Sequence, residues 1–215
     1  MDTATAPQRQ PSAIRIPAHI ISFVFHPLFI TSYVAAFLIY IHPYAFAGDP
    51  ERLRFFRLVM VIFNTAFIPL FAVFLMWRLG LLQSMFLRTS KERIIPYMAA
   101  MICYFWAWLV TNRRLDSPDY FVDFMFGSFL AICLAFMINI YMKVSMHTTA
   151  VGGAVVFFLL QAFQQYDTTG VYFIIALLVA GLVGTSRMIV SDHRPAEIYL
   201  GYFVGAICQL ASLLI

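Results

Sequence analysis

Apolar residues run along the chain in seven stretches, at 18–40, 57–77, 96–111, 121–142, 146–163, 171–190 and 195–214, and polar residues gather in the short segments between them. A bilayer core about 30 Å thick takes roughly 20 apolar residues per helical crossing, which is the length these stretches have. Helices satisfy their backbone hydrogen bonds internally, as a chain in hydrocarbon must. The alternating ten-residue pattern of a transmembrane barrel does not occur. The pattern predicts an all-α, polytopic transmembrane helical bundle in a single domain over 18–215, preceded by a polar tail over 1–17 that carries Pro7, Pro11 and Pro17. No internal repeat stands out.

Composition sharpens this picture. Of 215 residues, 62% are hydrophobic and 11% charged; soluble domains hold about a quarter charged residues, so a water-soluble globule is excluded. The net charge of +4 is scattered among the ends of the spans, where Lys and Arg collect, and no basic aromatic strip points to nucleic acid. Cys103, Cys133 and Cys208 lie inside apolar runs without partners at metal-ligand spacing and are expected to behave as small hydrophobes. The first stretch is longer than a signal-peptide core, and despite AFAG at 45–48 it is expected to remain as a helix.

Three polar segments hold the candidate chemistry: 78–95, 143–147 and 187–197. Two predicted crossings separate each from the next, so all three emerge at one membrane face. Ionisable groups at membrane depth are costly and are functional candidates by default. In SRMIVSDHRPAE, residues 186–197, Pro195 suits the first turn of a helix. That places His193 just ahead of the helix and Glu197 within a turn of it. A carboxylate hydrogen-bonded to an imidazole fixes its tautomer and raises the basicity of the other ring nitrogen, which makes a histidine nucleophilic. Arg187 adds a planar fork suited to phosphate oxygens.

The second segment, KVSMHTTAVGG at 143–153, sets Lys143, Ser145 and His147 at the start of a helix whose first amides can bind an anion. A second histidine suits acid–base work on a leaving group, and Gly152 and Gly153 permit close backbone approach. The first segment contributes Arg88, Lys91 and Arg93. Together Arg88, Lys91, Arg93, Lys143, Arg187 and Arg194 outnumber Glu92, Asp192 and Glu197. The natural guest is an anion, and in a bilayer it is the headgroup of a phosphorylated lipid.

SRMIVSDHRPAE resembles the third signature of the type 2 phosphatidic acid phosphatase superfamily, SR-x5-H-x3-D, with Glu197 in place of Asp. KVSMHTT is similar to the second, PSGH, keeping Ser145 and His147 with Val144 for Pro and Met146 for Gly. KERIIP resembles the first, K-x6-RP, with one residue between Lys91 and Arg93 and with Pro96 displaced from the arginine. The order and crossings match a six-helix core over 57–214, with one extra helix at the N-terminus. The resemblance implies an integral membrane lipid phosphatase that hydrolyses a lipid phosphomonoester or pyrophosphate, needs no metal or cofactor, and passes through a phosphohistidine. In it His193 is the nucleophile, Glu197 its orienting partner and His147 the acid for the leaving oxygen. Arg187, Lys91, Arg93 and Ser145 hold the phosphate oxygens, and Lys143 supplies further charge.

Other polar residues have plainer readings. His19 and His42 sit at the ends of the first span, His26 before Pro27 is expected to kink or pack, and Asn64, Pro69 and Asn139 are expected to make interhelical hydrogen bonds and kinks. Arg113 and Arg114 read as a topology signal. The rival to an enzyme is a membrane protein that binds anionic lipid through a decayed site of the same kind, since basic loops commonly grip headgroups. A transporter lacks support, because no span outside the clusters carries a charge near its middle. Outside the clusters, Arg52, Arg54, Arg57, Arg113 and Arg114 face Arg9, Arg15 and Arg78 across the membrane. The positive-inside rule then puts the site of this multi-pass cell-membrane protein on the extracytoplasmic side.

Overall fold

The computed structural model describes residues 11–84, 89–164, 170–190 and 193–214, and all regular structure among them is helical. The helices are α1 (Ser12–Val24), α2 (Pro27–Ala36, continued by a π turn over Phe37–Ile41), α3 (Glu51–Ile62), α4 (Ile68–Arg78), α5 (Ser90–Arg114), α6 (Asp119–Asn139), α7 (Met146–Gln164), α8 (Gly170–Val190) and α9 (Pro195–Ala211). A π turn over Phe63–Phe67 fuses α3 to α4. Among the described residues six helices are long and apolar enough to cross a membrane, with Glu51–Arg78 as one of them, and the bent pair α1–α2 makes a seventh if it is one broken span. The protein is a polytopic helical bundle.

The first apolar stretch is kinked at His26–Pro27, as expected of that pair. It is not one straight span: α1 and α2 meet at a bend of 58°. Pro27 forces the residue before it out of the helical region, and His26 is extended at φ −64°, ψ 139°. The helix also begins at Ser12, inside the segment expected to be a polar tail; residues 1–10 lie outside those described. α5 likewise extends beyond its apolar core at both ends, from Ser90 to Arg114, and takes in part of both flanking polar segments. A capping box starts it: the Thr89 hydroxyl accepts from the Glu92 amide at 3.3 Å, and a Glu92 carboxylate oxygen accepts from the Thr89 amide at 3.1 Å.

The π turn in α3–α4 has a local cause. Pro69 has no N–H to give the Thr65 carbonyl one turn back, and a widened turn absorbs the mismatch. Asn64, expected to bond across to a neighbour, instead donates to Met60 in its own helix at 2.8 Å. Phe63, Phe67 and Phe71 stack at 5.2 and 5.9 Å on the exposed side of this span, where lipid tails are their natural surroundings. On the face opposite the candidate site, Arg57 is only 4% exposed; its Nε donates to Asp49 at 2.6 Å and its Nη1 to Ser117 at 3.2 Å. A buried cation needs such partners.

α7 and α9 form the tightest seam. A Cβ at Gly201 would run into the Thr148 hydroxyl and, at 2.7 Å, the Ser145 carbonyl. One at Gly205 would collide with the Thr149 carbonyl, and one at Gly152 would meet the Tyr202 carbonyl at 2.7 Å. Between lipid-soluble helices, association relies on close packing and interhelical hydrogen bonds, which small residues permit. Thr148 supplies one such bond, donating to the Ile198 carbonyl at 2.9 Å.

Gly205→Leu therefore forces two backbones apart and is expected to cost roughly 3 kcal/mol or more, read as a lowered midpoint of unfolding in detergent. Gly181→Leu, at a helical position with open space around it, serves as the control and leaves the midpoint near that of the parent protein.

Candidate active site

The C-termini of α6 and α8 and the N-termini of α5, α7 and α9 meet at one face. Cross-links between backbone and side chains fix them. The Asn139 amide at the end of α6 donates to the Ser90 carbonyl at 2.9 Å, which is the interhelical bond expected of it. The Ser145 amide donates to the Glu197 carbonyl at 3.2 Å, so the second and third polar segments are in register. Arg93 reaches from α5 with Nη1 donating to the Val144 carbonyl at 3.2 Å, which brings the first segment to the second.

His193 and Glu197 form the centre. Nδ1 of His193 lies 2.7 Å from a Glu197 carboxylate oxygen, and the two side chains are 7% and 12% exposed. A carboxylate accepts, so Nδ1 carries the proton and Nε2 keeps its lone pair. Burial pushes the His193 pKa below its ordinary value. The hydrogen bond to Glu197 opposes that shift, while the charges of Arg93 and Arg187 add to it. The ring is thus held neutral with its nucleophilic nitrogen available.

His147, in the first turn of α7, has Nε2 3.1 Å from the carbonyl oxygen of Ser22 in α1. Its ring also meets that of His26 edge-on, with centroids 5.3 Å apart. Arg187 lies within electrostatic reach of His26, His147 and His193. Ser145 precedes α7, where serine ordinarily caps the helix with its hydroxyl. Here that hydroxyl is fully buried and has no hydrogen-bond partner among the described residues. A buried hydroxyl without a partner costs about 1–3 kcal/mol, and an anion's oxygen at the start of α7 would supply the missing acceptor.

Of the residues expected at the site, His193, Glu197, His147, Ser145, Arg93 and Arg187 are brought together. Lys91 is exposed on the first turn of α5 and Lys143 is half-buried beside Val144; among the described residues neither forms a hydrogen bond or ion pair. Arg88 and Asp192 lie outside the described residues. The three cysteines are free, and among the described residues no group of three or more His, Cys, Asp or Glu is placed to hold a metal. His26, read from sequence as a kink or packing residue, does kink the first span, but it also stands against His147. The signal that could have found it is a histidine beside a helix-breaking proline inside an apolar run.

Two outcomes follow from this electrostatics. An NMR titration of His193 has its midpoint below the ordinary value of about 6.5. Glu197→Gln, which removes the group that favours the charged ring, moves the midpoint lower still, and Arg187→Gln moves it up. Ser145→Ala removes the unsatisfied hydroxyl, so it raises unfolding stability by about 1 kcal/mol, which calorimetry of the variant beside the parent protein checks.

Comparison with protein-family models, with characterised proteins and with solved structures finds no match to this chain.

Proposed function

We propose that this chain is an integral membrane lipid phosphatase that cleaves a phosphomonoester or pyrophosphate of a lipid through a phosphohistidine, without a metal. The observation that carries the reading is the His193–Glu197 hydrogen bond of 2.7 Å, buried among the cations Arg93 and Arg187. A site that only grips a headgroup needs the cations. It has no use for a neutral imidazole whose tautomer is locked by a carboxylate, and this pair favours the enzyme over the lipid-binding alternative.

In this mechanism Nε2 of His193 attacks phosphorus as the bond to the leaving oxygen breaks, and Glu197 stabilises the ring as it gains positive charge. His147, protonated, gives its proton to the leaving oxygen. Water then attacks the phosphohistidine, with neutral His147 taking a proton from it, and free phosphate leaves with His193 restored. Arg93 and Arg187 offset the charge that builds on the phosphoryl oxygens, and the Ser145 hydroxyl donates to one of them. Lys91 and Lys143 stand at the margin, where they add positive potential for an anionic substrate.

The site belongs on the extracytoplasmic side of the cell membrane in this reading. The opposite face carries Arg52, Arg54 and Arg113, all near the ends of crossings, while Arg57 on that face is engaged with Asp49.

The test is phosphate release by detergent-purified protein with EDTA present, using phosphatidic acid, phosphatidylglycerol phosphate and undecaprenyl pyrophosphate. The parent protein releases phosphate from at least one of them, and His193→Ala lowers turnover by at least 10³-fold while keeping its unfolding midpoint. No release from any of the three by folded protein, or equal release by the variant, would overturn the reading.

A further inference from the structure

The first span meets the site where its helix is interrupted. In an unbroken helix the Ser22 carbonyl would accept from the amide four residues on, that of His26. The helix ends at Val24, His26 is extended, and α2 starts afresh at Pro27. Ser22 is therefore among the terminal residues whose carbonyls lack an intrahelical donor. It is also buried, so water does not readily supply one. The His147 imidazole does so instead, through Nε2 at 3.1 Å across 125 residues of sequence.

A carbonyl oxygen only accepts. Nε2 of His147 must carry a proton in both of its charge states, and the nitrogen that gains or loses one is Nδ1. Further contacts hold the arrangement: the His26 ring stands edge-on to His147, and its own Nδ1 accepts from the Leu28 amide at 3.4 Å, which caps α2. α1 packs along α8, the helix that carries Arg187, and α2 packs along α7. The break is thus wedged between the two helices that bring Arg187 and His147 to the site.

We propose that the His26–Pro27 break is a positioning device for His147: it exposes the Ser22 carbonyl, which locks His147 into the Nε2–H form and assigns proton transfer to Nδ1. The inference rests on the phosphatase reading for what the proton does. In the cleavage step the Nδ1–H proton passes to the ester oxygen as the phosphorus–oxygen bond breaks. His147 returns to its neutral form with Nε2–H still on Ser22.

The lock itself is measured without turnover. Nitrogen-15 NMR of the full-length, histidine-labelled protein in micelles at pH 8, with His147 identified by its loss in His147→Gln, reports the proton on Nε2 and a bare Nδ1. A proton found on Nδ1, or two tautomers in equal amounts, overturns the proposal whatever the enzyme does. Pro27→Ala permits the helix to run through the break and return the Ser22 carbonyl to the His26 amide. It is expected to mix the tautomers of His147, to lower kcat on alkyl phosphate esters about tenfold, and to leave an activated aryl phosphate within twofold, since that leaving group needs no acid. An equal loss on both substrates, or none on either, in folded Pro27→Ala overturns the positioning role. Absence of phosphate release by the parent protein, with the NMR result as expected, instead removes the phosphatase reading and keeps the lock.

Discussion

The site depends on how closely α7 and α9 approach each other. Two backbones in contact at Gly152, Gly201 and Gly205 leave no room for a single extra methyl group. That contact sets the Ser145 amide on the Glu197 carbonyl and hence the spacing between the helix starts that carry His147 and His193. In lipid the hydrophobic effect does not drive two apolar helices together, so the fit of small residues and the bond from Thr148 to Ile198 have to do so. The same residues that hold the bundle together therefore hold the two histidines in one frame.

Placed in that frame, the polar groups face a low-dielectric surrounding on nearly every side. Charges interact more strongly here than in bulk water, and the site holds more cations than anions. The result is a division among the histidines. His193 has a carboxylate partner and a neutral ring, while His147 has a backbone carbonyl partner, which orients it without adding charge. His26 has a backbone amide on its acceptor nitrogen and belongs to the scaffold. Three imidazoles in one neighbourhood end with three different partners, and each partner determines what its ring can exchange.

The positions of the spans were legible in the sequence because the length of an apolar run is a direct consequence of bilayer thickness. From 146 onward the observed helices begin and end within three residues of the apolar runs. The His193–Glu197 pair was legible for a similar reason, since a proline at the start of a helix fixes which residues lie one turn apart. The bend at Pro27 was harder: proline interrupts a helix, but the direction of the resulting kink comes from α7 and α8, which lie more than 100 residues away. Lys91 and Arg93 read alike in sequence, yet two residues on a helix are about 200° apart, so only Arg93 turns toward Val144. The π turn at Phe63–Phe67 leaves no mark in hydropathy, because an extra residue in one turn changes no residue type.

The distance along the chain between Thr148 and Ile198, 50 residues, has a consequence for how the protein is made. During synthesis α7 is threaded into the membrane before α9 exists, and its seam face then carries Thr148 and Thr149 without the surface that covers them. Their hydroxyls turn back onto the Ser145 carbonyl, at 3.1 and 3.0 Å, so these two groups do not depend on α9 for a partner. In the finished bundle the Thr148 hydroxyl also reaches the Ile198 carbonyl of α9 at 2.9 Å. A membrane chain that must insert its parts in order has, in this face, a helix that is tolerable alone and complete only in company.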